Sequence, residues 1–287
     1  MFDWQDLKHF AVLARSGSLS GAARELGVDH ATVGRRISAL EQSLGLRLID
    51  RLPRKVILTK DGEKIAELAL QIEQIAYGVQ RQAIGSINTP QTTVRISASP
   101  AVAARLIAPH VATFHRSNPG ITLVLSSSSA IVNLGRGEAD LAIRLVRPEQ
   151  PELIARRIGC MRFGLYSSLE HAALPPESWS FISYDAALGH IPQQVWLRSL
   201  LKGRPVVFQA GDLFGQQEAA RAGLGAAVLP TFIGENDHRL TRLAANTVPP
   251  IRELWLVTYP DLYNSGPIRT VMNFLSEIIG KSCPVSV

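Results

Sequence analysis

Cysteine is scarce in this sequence. Cys160 and Cys283 are the only two among 287 residues, far apart and in no CxxC spacing. A disulfide framework or a cysteine zinc site is therefore not expected, and two reduced, inert thiols are. No run of 18 or more apolar residues occurs, so no membrane-spanning helix is expected. The opening Met1-Phe2-Asp3-Trp4-Gln5-Asp6 lacks the basic-then-apolar plan of a signal peptide. The cytoplasm is the expected location. A phosphate-binding loop of the GxxxxGKS or GxxxxGKT kind is missing. Gly223 and Gly225 follow an expected helix rather than a strand, which excludes a dinucleotide fingerprint. His110 and His115 stand five apart, on different helix faces, and the other histidines are scattered, so neither a metal nor a cofactor is expected. Nothing groups a nucleophile with a base, so an enzyme is not expected.

What is present is a chain that can build a core, with 46% hydrophobic and 19% charged residues. Its length suits a small domain followed by one of about 200 residues. The net charge of +6 is lopsided. Residues 1–60 hold 10 Lys and Arg against 6 Asp and Glu, whereas the rest hold 20 against 18. A basic first fifth suits a polyanionic partner.

Leu7, Phe10, Val12 and Leu13 recur at helical spacing and predict a helix over 6–15. Ser16-Gly17-Ser18 breaks it, and Ser18 is a good N-cap for a second helix bearing Leu19, Ala22, Ala23 and Leu26. Gly27 ends that helix cheaply. Asp29 caps a third, with Val33, Ile37, Leu40 and Leu44 as one apolar stripe and Gly45 as its stop. Two short helices joined by a glycine turn, with alanines where they cross, describe a helix-turn-helix. Its second helix carries His30, Ala31, Thr32, Arg35 and Arg36 away from the stripe, where arginine can pair with guanine. Ser18 and Ser20 flank it. Two short strands over 47–58 surround a turn with Arg51, Arg54 and Lys55, which reads as a basic wing placed for phosphates or the minor groove. The bland alternative is a helical hairpin with a solvated basic face.

These residues resemble the LysR-type transcriptional regulators. The resemblance rests on Phe10, the run from Ser16 to Leu26, Val33, Arg35-Arg36-Ile37, Leu40-Glu41, Leu44-Gly45, Leu48, Arg51, Leu58-Thr59 and Gly62. Gly34 stands where serine is usual, Asp29 where a Ser or Thr cap is common, and Ile49 where phenylalanine is usual. The resemblance implies a linker helix that dimerises, a sensor of the periplasmic-binding type with two subdomains, and a tetramer as a dimer of dimers.

Thr59 can cap a helix with Asp61 and Glu63 in its first turn. Ile65, Leu68, Ile72, Ile75 and Val79 follow at spacings of 3, 4, 3 and 4, a seam suited to pairing with a second helix. The alternative is a helix packed on its own domain. From Thr92 strands alternate with helices, predicting an α/β sandwich with largely parallel strands. Pro100 fits the first turn of a helix capped by Ser99 and running to about residue 116, and a short helical turn is expected over 132–137. Further strands are expected at 94–98, 121–125, 139–145, 162–166, 181–184, 206–209, 226–229 and 254–259. Helices are expected at 194–201, 213–222 and 267–279. Ligands of such folds sit at the carboxyl ends of strands. That places Ser97, Ser99, Pro100, Ser127, Ser128 and Ser129 on one side of a cleft for a polar small molecule, and Tyr184, Phe208 and Gln209 on the other. A solvated serine loop is the alternative.

The expected architecture is therefore α/β overall, with a winged helix-turn-helix over 1–60, a dimerising linker helix over 61–88 and an effector-binding domain over 89–287. The last divides into one subdomain of 89–163 plus 256–287 and another of 164–255. The function expected is an effector-modulated transcriptional regulator that binds an interrupted inverted repeat in double-stranded DNA and works with RNA polymerase. A ligand-binding module without DNA function, and an enzyme with a DNA-binding appendage, remain open at this point.

Overall fold

The computed structural model describes residues 1–52, 55–86, 91–127, 134 and 138–285. Contacts divide the chain into two compact units, Met1–Ile84 and Gly85–Val287. The first unit opens with α1 (Trp4–Ser16), α2 (Leu19–Leu26) and α3 (His30–Leu44). Each begins at a side-chain cap: Asp3 accepts from Gln5 N, Ser18 from Gly21 N and Asp29 from Thr32 N. Each ends at a left-handed glycine, Gly17, Gly27 or Gly45, a conformation that costs glycine little. The first helix starts two residues before the expected place because Asp3 supplies the cap. Phe10, Leu13, Val33, Ile37, Leu40 and Leu48 are fully buried between the helices, and Ala22 and Ala23 leave α2 room to cross.

The strands β1 (Ile49–Leu52) and β2 (Lys55–Leu58) pair antiparallel. Helix α4 (Lys60–Ser86) starts with Thr59, whose hydroxyl accepts from Gly62 N at 3.0 Å and donates to the Arg47 carbonyl at 2.6 Å. Gly62 lies so close to Leu48 that a Cβ would sit 2.0 Å from the Leu48 carbonyl oxygen. Glu41 braces the same junction by accepting from the backbone N–H of Leu48 and of Ile49.

The second unit continues through β3 (Thr92–Ala98), α5 (Pro100–Val102), α6 (Val111–Ser117), β4 (Ile121–Ser127), β5 (Leu141–Arg144), β6 (Ile154–Ser167), α7 (Leu169–Ala172) and β7 (Phe181–Ser183). After these come α8 (Pro192–Leu201), β8 (Val206–Gln209), α9 (Leu213–Arg221), β9 (Ala226–Pro230), α10 (Thr231–Gly234), β10 (Thr241–Leu243), β11 (Ile251–Thr258), α11 (Pro260–Tyr263) and α12 (Gly266–Ser282). The strands lie in the order β4-β3-β5-β11-β6-β9-β7-β8, with β10 beside β6. Val94, Ile96, Leu254 and Leu256 of the sheet pack against Val271, Leu275, Ile278 and Ile279 of α12 in one core.

Two expectations need correction. The sheet is mixed. Strand β3 is parallel to β4 and β5, and β7 to β8 and β9. However, β11 runs antiparallel to β5 and β6, and β6 to β9 and β10. A chain that leaves one half of the sheet and returns must lay two strands side by side in opposite directions. The helix expected over 100–116 is broken. After α5 comes a π turn, Ala103–Ile107, then a 3-10 turn, Ala108–His110, and only then α6. Pro109 has no N–H to give to the fourth residue before it, and its ring crowds that carbonyl. Ser99 has extended backbone before α5, but its side chain makes no capping hydrogen bond. The helical turn expected over 132–137 lies outside the described residues apart from Leu134.

Candidate nucleic-acid interface and effector cleft

The outer face of α3 is polar and open. His30, Ala31 and Arg35 are exposed there, with Ser20 exposed on α2. Thr32 is half-buried, and Ser18 uses its hydroxyl as the α2 cap. The two arginines do different things. Arg35 Nη2 donates to Thr32 Oγ1 at 3.0 Å, and Thr32 Oγ1 donates to Asp29 Oδ2 at 2.8 Å. Arg36 Nη1 turns back to α1 and meets Asp6 Oδ1 at 3.0 Å and Asp3 Oδ2 at 3.3 Å. Sequence reasoning missed Asp3 and Asp6, which lie more than a helix away from Arg36 along the chain. Hydrogen bonds from the Thr32 N–H and hydroxyl hold the Asp29 carboxyl below its ordinary range.

Arg54, Ser128 and Ser129 lie outside the described residues. Backbone register places Arg51 opposite Val56 and Lys55 opposite Leu52 in the hairpin.

On α4, Ala66 and Ala69 are buried and Ile65 packs half-buried against the core of the first unit. Leu68, Ile72, Ile75 and Val79 are 52%, 37%, 68% and 68% exposed. The apolar seam therefore divides: its first residue serves the unit's own core and the other four form an uncovered stripe.

In the second unit, Ala98 and Ser127 are opposite each other at the carboxyl ends of β3 and β4. Ser97 is buried there, and Ser99 and Pro100 are half-buried. On the other half of the sheet, Ser183 is opposite Gln209 at the ends of β7 and β8. Tyr184 is buried, its backbone N–H donates to Gln194 Oε1, and burial pushes its phenol up to about 12. Phe208 and Gln209 are exposed on the edge strand β8. The described serines and the Tyr184 group thus come to strand ends on the two halves of one sheet. A separate shallow groove of about 350 Å³ lies between α6 and α12, with Phe114, Phe274, His110 and Lys281 among its lining residues.

One contact between the halves was not foreseen. Arg105, in the π turn, stacks over the Phe214 ring at 5.4 Å and donates to Gln217 Oε1 at 3.5 Å, both on α9. Gln217 donates in turn to the buried Asp237, which also receives Arg221. Burial alone would raise the Asp237 pKa, but the hydrogen bonds from Gln217 and Arg221 outweigh it and bring it down. Among the described residues no group of three ligating side chains could hold a metal ion, and no helix is long and apolar enough to cross a membrane.

Residues 4–63 match the bacterial regulatory helix-turn-helix protein family of the lysR type, and residues 88–279 match the LysR substrate binding domain. The chain belongs to the LysR family of transcriptional regulators. This LysR-type regulator is 29% identical over 280 residues to the Mau operon transcriptional activator of Paracoccus denitrificans, covering 98% of both chains. It is 26% identical over 291 residues to the HTH-type transcriptional regulator CrgA of Neisseria meningitidis, covering 97% of each. The solved structure of CrgA superposes with a TM-score of 0.58 at 23% identity, over 98% of this chain and 100% of that one. ArgP from Mycobacterium tuberculosis gives 0.60 at 19%, over 99% of both. The LysR-type regulator therefore joins a helix-turn-helix that binds DNA to a sensor that binds a small-molecule effector.

Proposed function

We propose that this regulator acts in the cytoplasm as a dimer that reads two half-sites of an interrupted inverted repeat. The carrying observation is that one unit exposes both an apolar stripe on α4 and a polar, arginine-bearing face on α3. The stripe spacing of 4, 3 and 4 suits a second copy of α4. Two copies then bring two α3 helices to one duplex. His30, Ala31 and Arg35 are assigned to base edges, with Ser20, Arg51, Arg54 and Lys55 on the sugar-phosphate backbone or in the minor groove. The same reading assigns Ser18, Thr32 and Arg36 a supporting part, since their polar groups are engaged within the protein.

The effector belongs at the strand ends bearing Ser97, Ser99, Pro100, Ser127, Tyr184, Phe208 and Gln209. Its preference for one arrangement of the two sheet halves shifts DNA bend or spacing and so the access of RNA polymerase. The regulator binds its effector without turning it over, and sensor contacts extend the dimer to a tetramer. Selection from random double-stranded DNA tests the reading. An enriched inverted repeat that loses its preference at one base position of each half-site in Arg35→Ala supports it. Enrichment unchanged by that substitution removes α3 as the reader.

A further inference from the structure

We propose that Asp29 and Thr32 form a relay that positions Arg35 to read a guanine, making both of them specificity-determining residues of this regulator. The inference rests on α3 being the reader. The three residues stand at positions 29, 32 and 35, one turn apart along one side of the helix start. The proton order is fixed along the chain. Arg35 Nη2 donates to Thr32 Oγ1 at 3.0 Å, and the single hydroxyl proton of Thr32 goes to Asp29 Oδ2 at 2.8 Å. Asp29 Oδ1 meanwhile accepts the Thr32 backbone N–H at 2.7 Å, so the carboxylate is held at both oxygens. A cation at one end and an anion at the other strengthen both bonds.

The relay draws the guanidinium toward the start of α3, the end of a recognition helix that enters the major groove. Only one of its five N–H groups is used, which leaves a free fork matching guanine O6 and N7. Arg36 is anchored through Nη1 toward Asp3 and Asp6 at the start of α1, not toward the start of α3. The relay also has a cost. Asp29 places a negative charge at the DNA-facing helix start, where it repels phosphate. The carboxylate therefore weakens binding to any DNA while sharpening the choice of base.

The test measures base-by-base preference and non-specific affinity for the full-length chain and its variants on double-stranded DNA, with thermal unfolding as a fold check. Arg35→Ala should flatten one base position in each half-site. Thr32→Val should flatten the same position by about tenfold with the Asp29 backbone cap intact, and Thr32→Ser should restore it. Asp29→Asn still caps the helix, and should lose preference at that position while gaining non-specific affinity. A purely structural role would lower both together. Sharp preference in Thr32→Val and Asp29→Asn, beside a flat position in Arg35→Ala, overturns the relay and leaves Arg35 as an unaided reader. Preference unchanged in Arg35→Ala overturns the relay together with the assignment of α3.

Discussion

Ser18, Asp29 and Thr59 each hold a helix start by accepting the backbone N–H three residues on. Arg36 instead ties α3 to the start of α1 through Asp3 and Asp6. Arg36→Ala should cost about 1 kcal/mol of unfolding free energy, typical of a partly exposed pair, and leave base preference intact in a selection experiment. Two glycines should respond in opposite ways. Nothing lies within 4 Å of a Cβ placed on Gly34, inside α3. Gly34→Ala should therefore stabilise the first unit by about 1 kcal/mol, read as a higher urea midpoint. Gly62→Ala should lower that midpoint, since its Cβ would overlap the Leu48 carbonyl. His171 is buried, with Nε2 facing Ser180, and burial holds its pKa below the ordinary value. Its neutral form suits the fold, so stability is full above the ordinary histidine value of 6.5 and falls as pH drops through it toward the depressed one. Chemical denaturation across that window should show a shallower acid-side loss in His171→Leu than in the parent chain.

At the scale of elements, most helices and strands followed from periodicity, whereas two features of their arrangement did not. The break before α6 had a signal in Pro109, which cannot sit unpunished inside a continuous helix. The antiparallel run of β6 against β11 had no signal in the alternation of strands and helices; only the family resemblance, through its two subdomains, put the crossings near 163 and 256. Helix α4 shows a finer limit. Five apolar positions at seam spacing look equivalent in sequence, but Ile65 is drawn into its own core while Leu68, Ile72, Ile75 and Val79 are left outside. A Leu68→Glu, Ile75→Glu pair should reduce the size of the assembly in sedimentation velocity and lower its affinity for an inverted repeat by more than tenfold, through lost coupling of two half-sites. An assembly of unchanged size and stability would place the interface elsewhere.

At the scale of the molecule, the dense motif string of the first 62 residues was enough for the family, and the sensor's ligand was not legible at all. A helix-turn-helix is built from neighbours in sequence, while a cleft is assembled from loops that the chain reaches at distant points. The affinity for DNA should fall linearly on a log–log plot against salt as phosphate counterions are released, and a flat response in a titration would remove the basic wing from the interface. Cys160 and Cys283, distant in sequence, meet in the fold, where Cys160 N donates to the Cys283 carbonyl. Both are buried free thiols, and burial pushes Cys283 up to about 11. Helix α4 is 27 residues, about 40 Å long, and its start is seated at the junction of Thr59, Gly62 and Leu48 on the domain that bears α3. In the proposed dimer, joined along two such helices, the reading heads meet the duplex at one helical phase. A spacer lengthened by about five base pairs turns one half-site to the far side of the DNA, and about ten bring it round again.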